Sequence, residues 1–251
     1  MLEGKGIVKR FGGLVALDAV DFTVQKGTIT GLIGPNGSGK TTLFNVITGF
    51  YRLDEGHLFF MEKSIERKSP HEIAKMGIGR TFQIVKPFLS MTAEENVAVA
   101  SLFGREKHGE AYRDARKWID FCGLEHKRNI LASELTLVEV KRVEMARALA
   151  IKPELLLLDE PLAGLNPVEV NEALAIIQKI RSDLGITIVI IEHVISAIMR
   201  TCDEVIVLHH GAKIAQGSPQ EVANSPAVME AYLGRAFARS GSMNASAHVS
   251  S

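Results

Sequence analysis

The chain has 251 residues, and 29 Lys+Arg against 29 Asp+Glu leave a formal net charge of zero with 23% of residues charged. Binding nucleic acid by general electrostatics needs a clustered basic excess, and disorder needs few apolar residues; a neutral chain that is 46% hydrophobic fits neither class. Its apolar runs, such as Leu155 to Leu158 and Ile186 to Ile191, fall far short of the roughly 18 residues a membrane span requires, and Met1 to Gly6 holds no apolar leader. Cys122 and Cys202 are too few for a disulfide framework and sit in no metal-ligand spacing, which fits a reducing cytoplasm.

From Ile7 to Leu58 short strands are predicted: Gly6 to Val8, Leu17 to Val24 with alternating apolar and polar residues, and Thr28 to Ile33 ending in a glycine-rich turn. Alternation of that kind suits antiparallel strands with one wet face. Thr41 to Thr48 reads as a helix opened by the turn. After Gln83 strand signals vanish, and Thr92 to Leu149 carries amphipathic helical stretches; Ala115, Trp118, Ile119 and Cys122 share one face and predict core packing. Leu155 to Leu158 is a continuous apolar run, as in a parallel strand covered on both faces. A helix over Pro167 to Leu184 and a second buried strand, Ile186 to Ile191, complete a right-handed parallel crossover. Val205 to Leu208 and Lys213 to Ala215 read as strands around a turn at Gly211. His209 and His210 beside it resemble a metal pair, but neighbours on a strand point to opposite faces. Arg235 to Ser251, rich in Ser, Ala and Gly, reads as a poorly ordered tail.

Gly34-Pro35-Asn36-Gly37-Ser38-Gly39-Lys40-Thr41 matches G-x-x-x-x-G-K-[ST] between an apolar strand and a helix, the context that confirms a phosphate-binding loop. Its glycines let the backbone wrap around phosphate with N–H groups pointing inward, Lys40 reaches the β and γ phosphates, and the Thr41 hydroxyl holds Mg²⁺. Asn36, Gly37, Ser38, Gly39 and the following Thr42 complete the nucleotide-binding segment. Leu155 to Leu158 then delivers Asp159 and Glu160 at a strand's C-terminal edge, where ligands of α/β sheets bind. Asp159 suits Mg²⁺ and its waters, and Glu160 suits polarisation of an attacking water.

With these motifs in this order, the chain from about residue 6 to residue 234 resembles the ATP-binding subunits of ABC transporters. Thr81-Phe82-Gln83 resembles the family's Q-loop, Ala163-Gly164-Leu165-Asn166 its D-loop, and Ile191-Glu192-His193 the strand bearing its switch histidine. Arg10 to Leu14, Arg80 to Gln83 and the ending Ala231-Tyr232-Leu233-Gly234 resemble the subset that powers branched-chain amino-acid uptake. The resemblance implies an α/β fold: a RecA-like P-loop NTPase core with an N-terminal antiparallel β subdomain and an α-helical subdomain inserted at about 88 to 150, residues 1 to 234 making one ATPase domain. It also implies that Phe11 stacks on adenine, that Gln83 binds Mg²⁺ or the water near the γ phosphate, and that His193 holds Glu160 in line. Implied partners are membrane-spanning permease subunits, one of which docks near Pro87-Phe88-Leu89 and Met91, and a second ABC ATPase subunit, at the cytoplasmic face of the cell membrane.

One motif departs from the family. Its Leu-Ser-Gly-Gly-Gln signature, which contacts the nucleotide of the opposite subunit, aligns with Leu135-Thr136-Leu137-Val138-Glu139. Thr136 and Glu139 keep a capping box, but Val138 replaces a glycine by a β-branched residue, and Glu139 brings a negative charge toward the γ phosphate. A damaged signature acts in trans, which favours a heterodimer with unequal sites over a homodimer. Two alternatives are a non-transport ATPase working on ribosomes or DNA, and a mainly regulatory nucleotide-binding partner. The first lacks the doubled nucleotide unit, coiled-coil insertion and basic surface; the retained Glu160 and His193 argue against the second.

Overall fold

The computed structural model describes residues 1–103 and 108–233; the expected tail from Arg235 onward lies outside the described residues. Strands β1 (Leu2–Phe11), β2 (Leu14–Val24), β4 (Glu55–Phe60) and β5 (Lys63–Ser64) form an antiparallel sheet in the order β2-β1-β4-β5. In β2, Val20, Phe22 and Val24 are buried while Asp21 and Thr23 face out, the period of two anticipated from the sequence.

The second sheet takes β3 (Ile29–Ile33), β6 (Ile78–Arg80), β7 (Leu155–Asp159), β8 (Thr187–Ile191), β9 (Glu204–His209) and β10 (Ala212–Gly217) in the order β10-β9-β3-β8-β7-β6. All neighbours run parallel except β10, which returns antiparallel on β9. Every residue of β3, β7 and β8 is buried, and the alternation only decides which face it serves. Leu156, Leu158, Ile188 and Ile190 face one apolar cluster, and Leu155, Leu157, Val189 and Ile191 face the other. The first cluster takes in α3 (Ala93–Phe103), α4 (His108–Phe121), α5 (Leu137–Ala150) and α6 (Pro167–Leu184). The second joins α1 (Lys40–Ile47), α2 (Pro70–Lys75) and the antiparallel sheet. Covering on both faces is what a parallel sheet needs.

Between β6 and β7 the regular elements of the described residues are helical, apart from an isolated bridge between Thr92 and Leu131. Trp118 is buried there, and its Nε1–H donates to Asp114 at 3.1 Å. Helix α6 begins as the sequence predicts: Pro167 opens it, and Asn166 and Glu169 form a reciprocal capping box. Cys122 and Cys202 are buried free thiols, pushed up to about 12 by burial. Two sequence expectations need correction in detail, and one strand lay outside them. Helix α1 starts at Lys40 and stops at Ile47, where Thr48 turns its hydroxyl back to the Phe44 carbonyl at 2.7 Å. Strand β6 was not foreseen, being too short to show a period. His209 and His210 are turn-side residues as anticipated, since β9 ends at His209 and His210 turns out with φ +47°; for the same reason their rings lie 4.1 Å apart instead of on opposite faces. Among the described residues, no helix is long and apolar enough to cross a membrane.

Candidate active site

Because β3, β6, β7 and β8 are parallel, the segments leaving their C-terminal ends converge on one edge of the sheet. From β3 comes the glycine-rich loop. Gly34 has φ +151°, and a Cβ there would lie 2.1 Å from the Leu208 carbonyl oxygen; Gly39 has φ +104°, and its Cβ would meet the Ala16 carbonyl at 2.6 Å. Both positions therefore require glycine. No side chain caps α1, and its first turn holds no acidic residue, so its leading N–H groups and positive dipole end face the cleft. Lys40 is buried and donates to the carbonyls of Gly34 at 2.8 Å and Pro35 at 3.0 Å. Burial lowers the Lys40 pKa, against the upward pull of Glu160 and then Asp159. The buried Ser38 hydroxyl has no partner.

From β7 come two carboxylates in different settings. Asp159 is buried; its Oδ2 accepts from Arg80 at 2.8 Å, while Oδ1 has no partner. Burial raises its pKa, and Arg80 opposes the rise. Glu160 occupies the left-handed region with φ +49°, which turns its carboxylate into the cleft. There Oε2 accepts from Gln83 Nε2 at 2.8 Å, and Oε1 lies 3.0 Å from His193 Nε2. Three segments distant in sequence thus meet on one carboxylate.

A cleft of about 730 Å³ runs from Phe11 along Asn36 to Thr42 and reaches Gln83, Glu160 and His193. Phe11 is 41% exposed, its ring edge-on to Tyr51 at 5.1 Å with the Lys9 ammonium 5.3 Å from its centre. Such a cleft offers an aromatic face, an anion cradle and a held carboxylate, which suits a nucleotide phosphate and a water. For a divalent cation, Thr41 and Gln83 line both this cleft and the cavity beside it, and Asp159, whose buried Oδ1 has no partner, joins them in the latter: the Thr41 hydroxyl and the free carboxylate oxygen are donors that suit a hard ion.

Thr136, Val138 and Glu139 do not line this cleft; Val138 faces Lys141, Arg142, Pro161 and Leu165 instead. The Thr136 and Glu139 capping box is formed, and Glu139 also pairs with Lys127 at 3.1 Å. Burial of Glu139 is outweighed by the Thr136 N–H and Lys127, which hold its carboxyl below the usual range. Its charge is met by the helix cap at Thr136 and by Lys127 from the preceding segment.

Sequence reading assigned no role of their own to four residues that shape the site. Glu144 of α5 accepts from the Phe82 N–H at 2.8 Å, tying the segment after β6 to α5. Glu192 accepts from the Leu162 and His193 N–H groups at 2.7 and 3.1 Å, fixing the approach to His193. Burial raises the pKa of both carboxyls against those bonds. Tyr232, on the helix Pro226–Leu233, reaches the Gly34 backbone, a bond that opposes the upward effect of burial on its phenol. Arg80 is the fourth. Its place in the run Arg80 to Gln83 was visible, but not its salt bridge.

Beside the cleft lies an open cavity of about 650 Å³, walled by Phe50, Phe82, Ile84, Ala100, Ala148 and Ile151 over a polar floor of Arg80, Glu144 and Asp159. Ile84 is 72% exposed and Phe50 54%. An apolar surface this open next to the polar site suits a docked partner segment.

Comparison with known proteins agrees with this geometry. A family model described as "ABC transporter" matches residues 17–163, and one described as "Branched-chain amino acid ATP-binding cassette transporter" matches residues 212–238. The chain is 38% identical to the high-affinity branched-chain amino acid transport ATP-binding protein BraF of Pseudomonas aeruginosa, over 94% of this chain and 98% of the relative. It superposes with TM-score 0.85 and 36% identity on the ADP conformation of MJ1267, an ATP-binding cassette of an ABC transporter, covering 94% of this chain and 99% of that one. A dimeric structure of MJ0796, a bacterial ABC transporter cassette, matches with TM-score 0.79 and 26% identity over 87% of this chain and 99% of that one. The phosphate loop, the carboxylates at the end of β7 and the likeness along nearly the whole chain place it among the ATP-binding subunits of the ABC transporter family.

Proposed function

We propose that this chain binds and hydrolyses ATP to drive uptake of branched-chain amino acids, or of a similar small solute, through separate permease subunits that it meets at the cytoplasmic face of the membrane. The observation that carries the hydrolytic part is Glu160, held between Gln83 and His193 at the mouth of the phosphate loop. The likeness to branched-chain amino acid transport proteins over 94% of the chain supports the solute class.

On this reading Phe11 stacks on adenine and the N–H groups from Asn36 to Thr42 cradle the phosphates. Lys40 exchanges the Gly34 and Pro35 carbonyls for phosphate oxygens. Thr41, Asp159 and Gln83 would hold Mg²⁺, which when bound would supply positive charge against that developing on the transferred phosphoryl group. Glu160 orients the attacking water and takes its proton, while His193 keeps that carboxylate in line and donates toward the γ phosphate. Thr136, Val138 and Glu139, facing away from the chain's own cleft, meet the nucleotide of a second ABC ATPase subunit. A permease segment seats on Phe50, Phe82 and Ile84, beside the exposed Phe88 and Leu89.

Co-expression with its permease and second ATPase subunits, followed by reconstitution in vesicles, tests this. ATP hydrolysis in the complex is expected to rise with a leucine-loaded solute-binding protein; hydrolysis that is indifferent to any small amphipathic amino acid or amide overturns the transport reading. Val138→Gly separates the two assemblies. In a heterodimer with an intact partner signature the exchange raises turnover at one site, about twofold overall; in a homodimer it relieves crowding of the phosphate at both sites, by about 1.4 kcal/mol or tenfold each. Equal rates for valine and glycine in every assembly mean that Val138 leaves the partner's nucleotide untouched.

A further inference from the structure

Arg80 stands at the junction between the cleft and the apolar cavity. Its side chain is 7% exposed and its partner Asp159 3%, at 2.8 Å. The other terminal nitrogen donates to Asn45 at 2.7 Å and Thr48 at 3.1 Å, the flank of the helix that the phosphate loop opens. Three rings surround the guanidinium, Phe82 at 4.9 Å, Phe44 at 5.6 Å and Phe50 at 6.0 Å. Phe50 and Phe82 also touch edge to face at 5.9 Å and form the exposed wall of the cavity.

A planar guanidinium held by a fork of hydrogen bonds and stacked between rings has a fixed orientation. Since Arg80 holds Oδ2 of Asp159, it restrains the carboxylate and with it the direction of the unpartnered Oδ1. Partners of this kind set the orientation of metal ligands and typically change metal affinity 10- to 100-fold when removed. We infer that Arg80 is a positioning residue that aims Asp159 Oδ1 at the cation held with Thr41, and that a segment seated on Phe50 and Phe82 resets this aim. The inference rests on the reading of Asp159 and of the cavity given above. It makes Arg80, in addition to Gln83, a path from the docked segment to the metal.

Mn²⁺ as a spectroscopic probe tests it, titrated by electron paramagnetic resonance into the full chain with a non-hydrolysable ATP analogue, alone and in the permease complex. Arg80→Met is expected to weaken Mn²⁺ binding about tenfold or more, with Arg80→Lys between it and the wild type. Binding of the analogue in chelator is expected to stay within about twofold for both, because Arg80 touches no part of the phosphate cradle. Should Arg80→Met fail to fold, because it leaves a buried carboxylate unpaired, Arg80→Lys keeps the charge but loses the fork and the stacking, and serves as the deciding variant. Wild-type Mn²⁺ affinity in a folded Arg80→Lys chain overturns the positioning role. Adding the permease is expected to change the Mn²⁺ affinity or line shape of the wild type and not of Arg80→Met. An unchanged wild type in an assembled complex overturns the coupling, whereas failure of the complex to assemble counts against the docking reading and leaves the result on the isolated chain in force.

Discussion

Replacing Glu160 by glutamine is expected to give a chain that binds ATP and turns it over at least about a hundredfold more slowly, the usual scale for loss of a positioned base. The side chain keeps its shape, so the left-handed backbone at φ +49° and the contact with Gln83 at 2.8 Å persist. Lost are the proton acceptor for water and the anionic partner of His193 at 3.0 Å. Removing a negative charge beside the phosphates also lowers the repulsion on binding, so nucleotide is held more tightly and the closed pair of subunits accumulates. Steady-state phosphate release together with size-exclusion chromatography in ATP measures both halves. Wild-type turnover by the variant removes Glu160 from the chemistry.

Why these groups could be read from sequence, and others not, follows from the range of the interactions. The phosphate loop is local: eight consecutive residues carry both the strained glycine backbone and the lysine, so the pattern states the geometry. The buried strands Leu155–Asp159 and Thr187–Ile191 and the capped helix after Asn166 are equally local. Arg80 and Asp159 are 79 residues apart, and Glu144 and Phe82 are 62 apart. Each of these pairs exists only because β6 lies next to β7 and α5 packs nearby, and no spacing along the chain encodes that. Glu139 shows the same limit in reverse. As a sequence feature it was a charge aimed at a phosphate, and its neutralisation depends on Lys127, which the fold brings alongside. Resemblance closed part of this gap for Gln83 and for His193, which lies 33 residues after Glu160, a separation that resembles the family's.

Lys40→Met separates function from stability most sharply. The ammonium is the mobile charge of the loop, and withdrawing it from the transferred phosphoryl group is expected to lower turnover by about 10²- to 10³-fold, as for loss of one preorganised donor in a dry site. Binding of nucleotide weakens as well, since the same contact exists in the ground state. Stability behaves differently. Burial lowers the pKa of Lys40 below its ordinary value of 10.5, so the unfolded chain binds the proton more readily than the folded one. Stability therefore rises as pH climbs through the window between the folded pKa and the ordinary one, and at neutral pH the buried charge works against the fold. Methionine fills a similar volume without that charge. The melting temperature at neutral pH is expected to hold or increase while activity collapses, and the upward slope of stability on the alkaline side is expected to flatten. A large fall in melting temperature would mean that the two bonds to Gly34 and Pro35 are structural supports rather than the resting place of a charge waiting for phosphate.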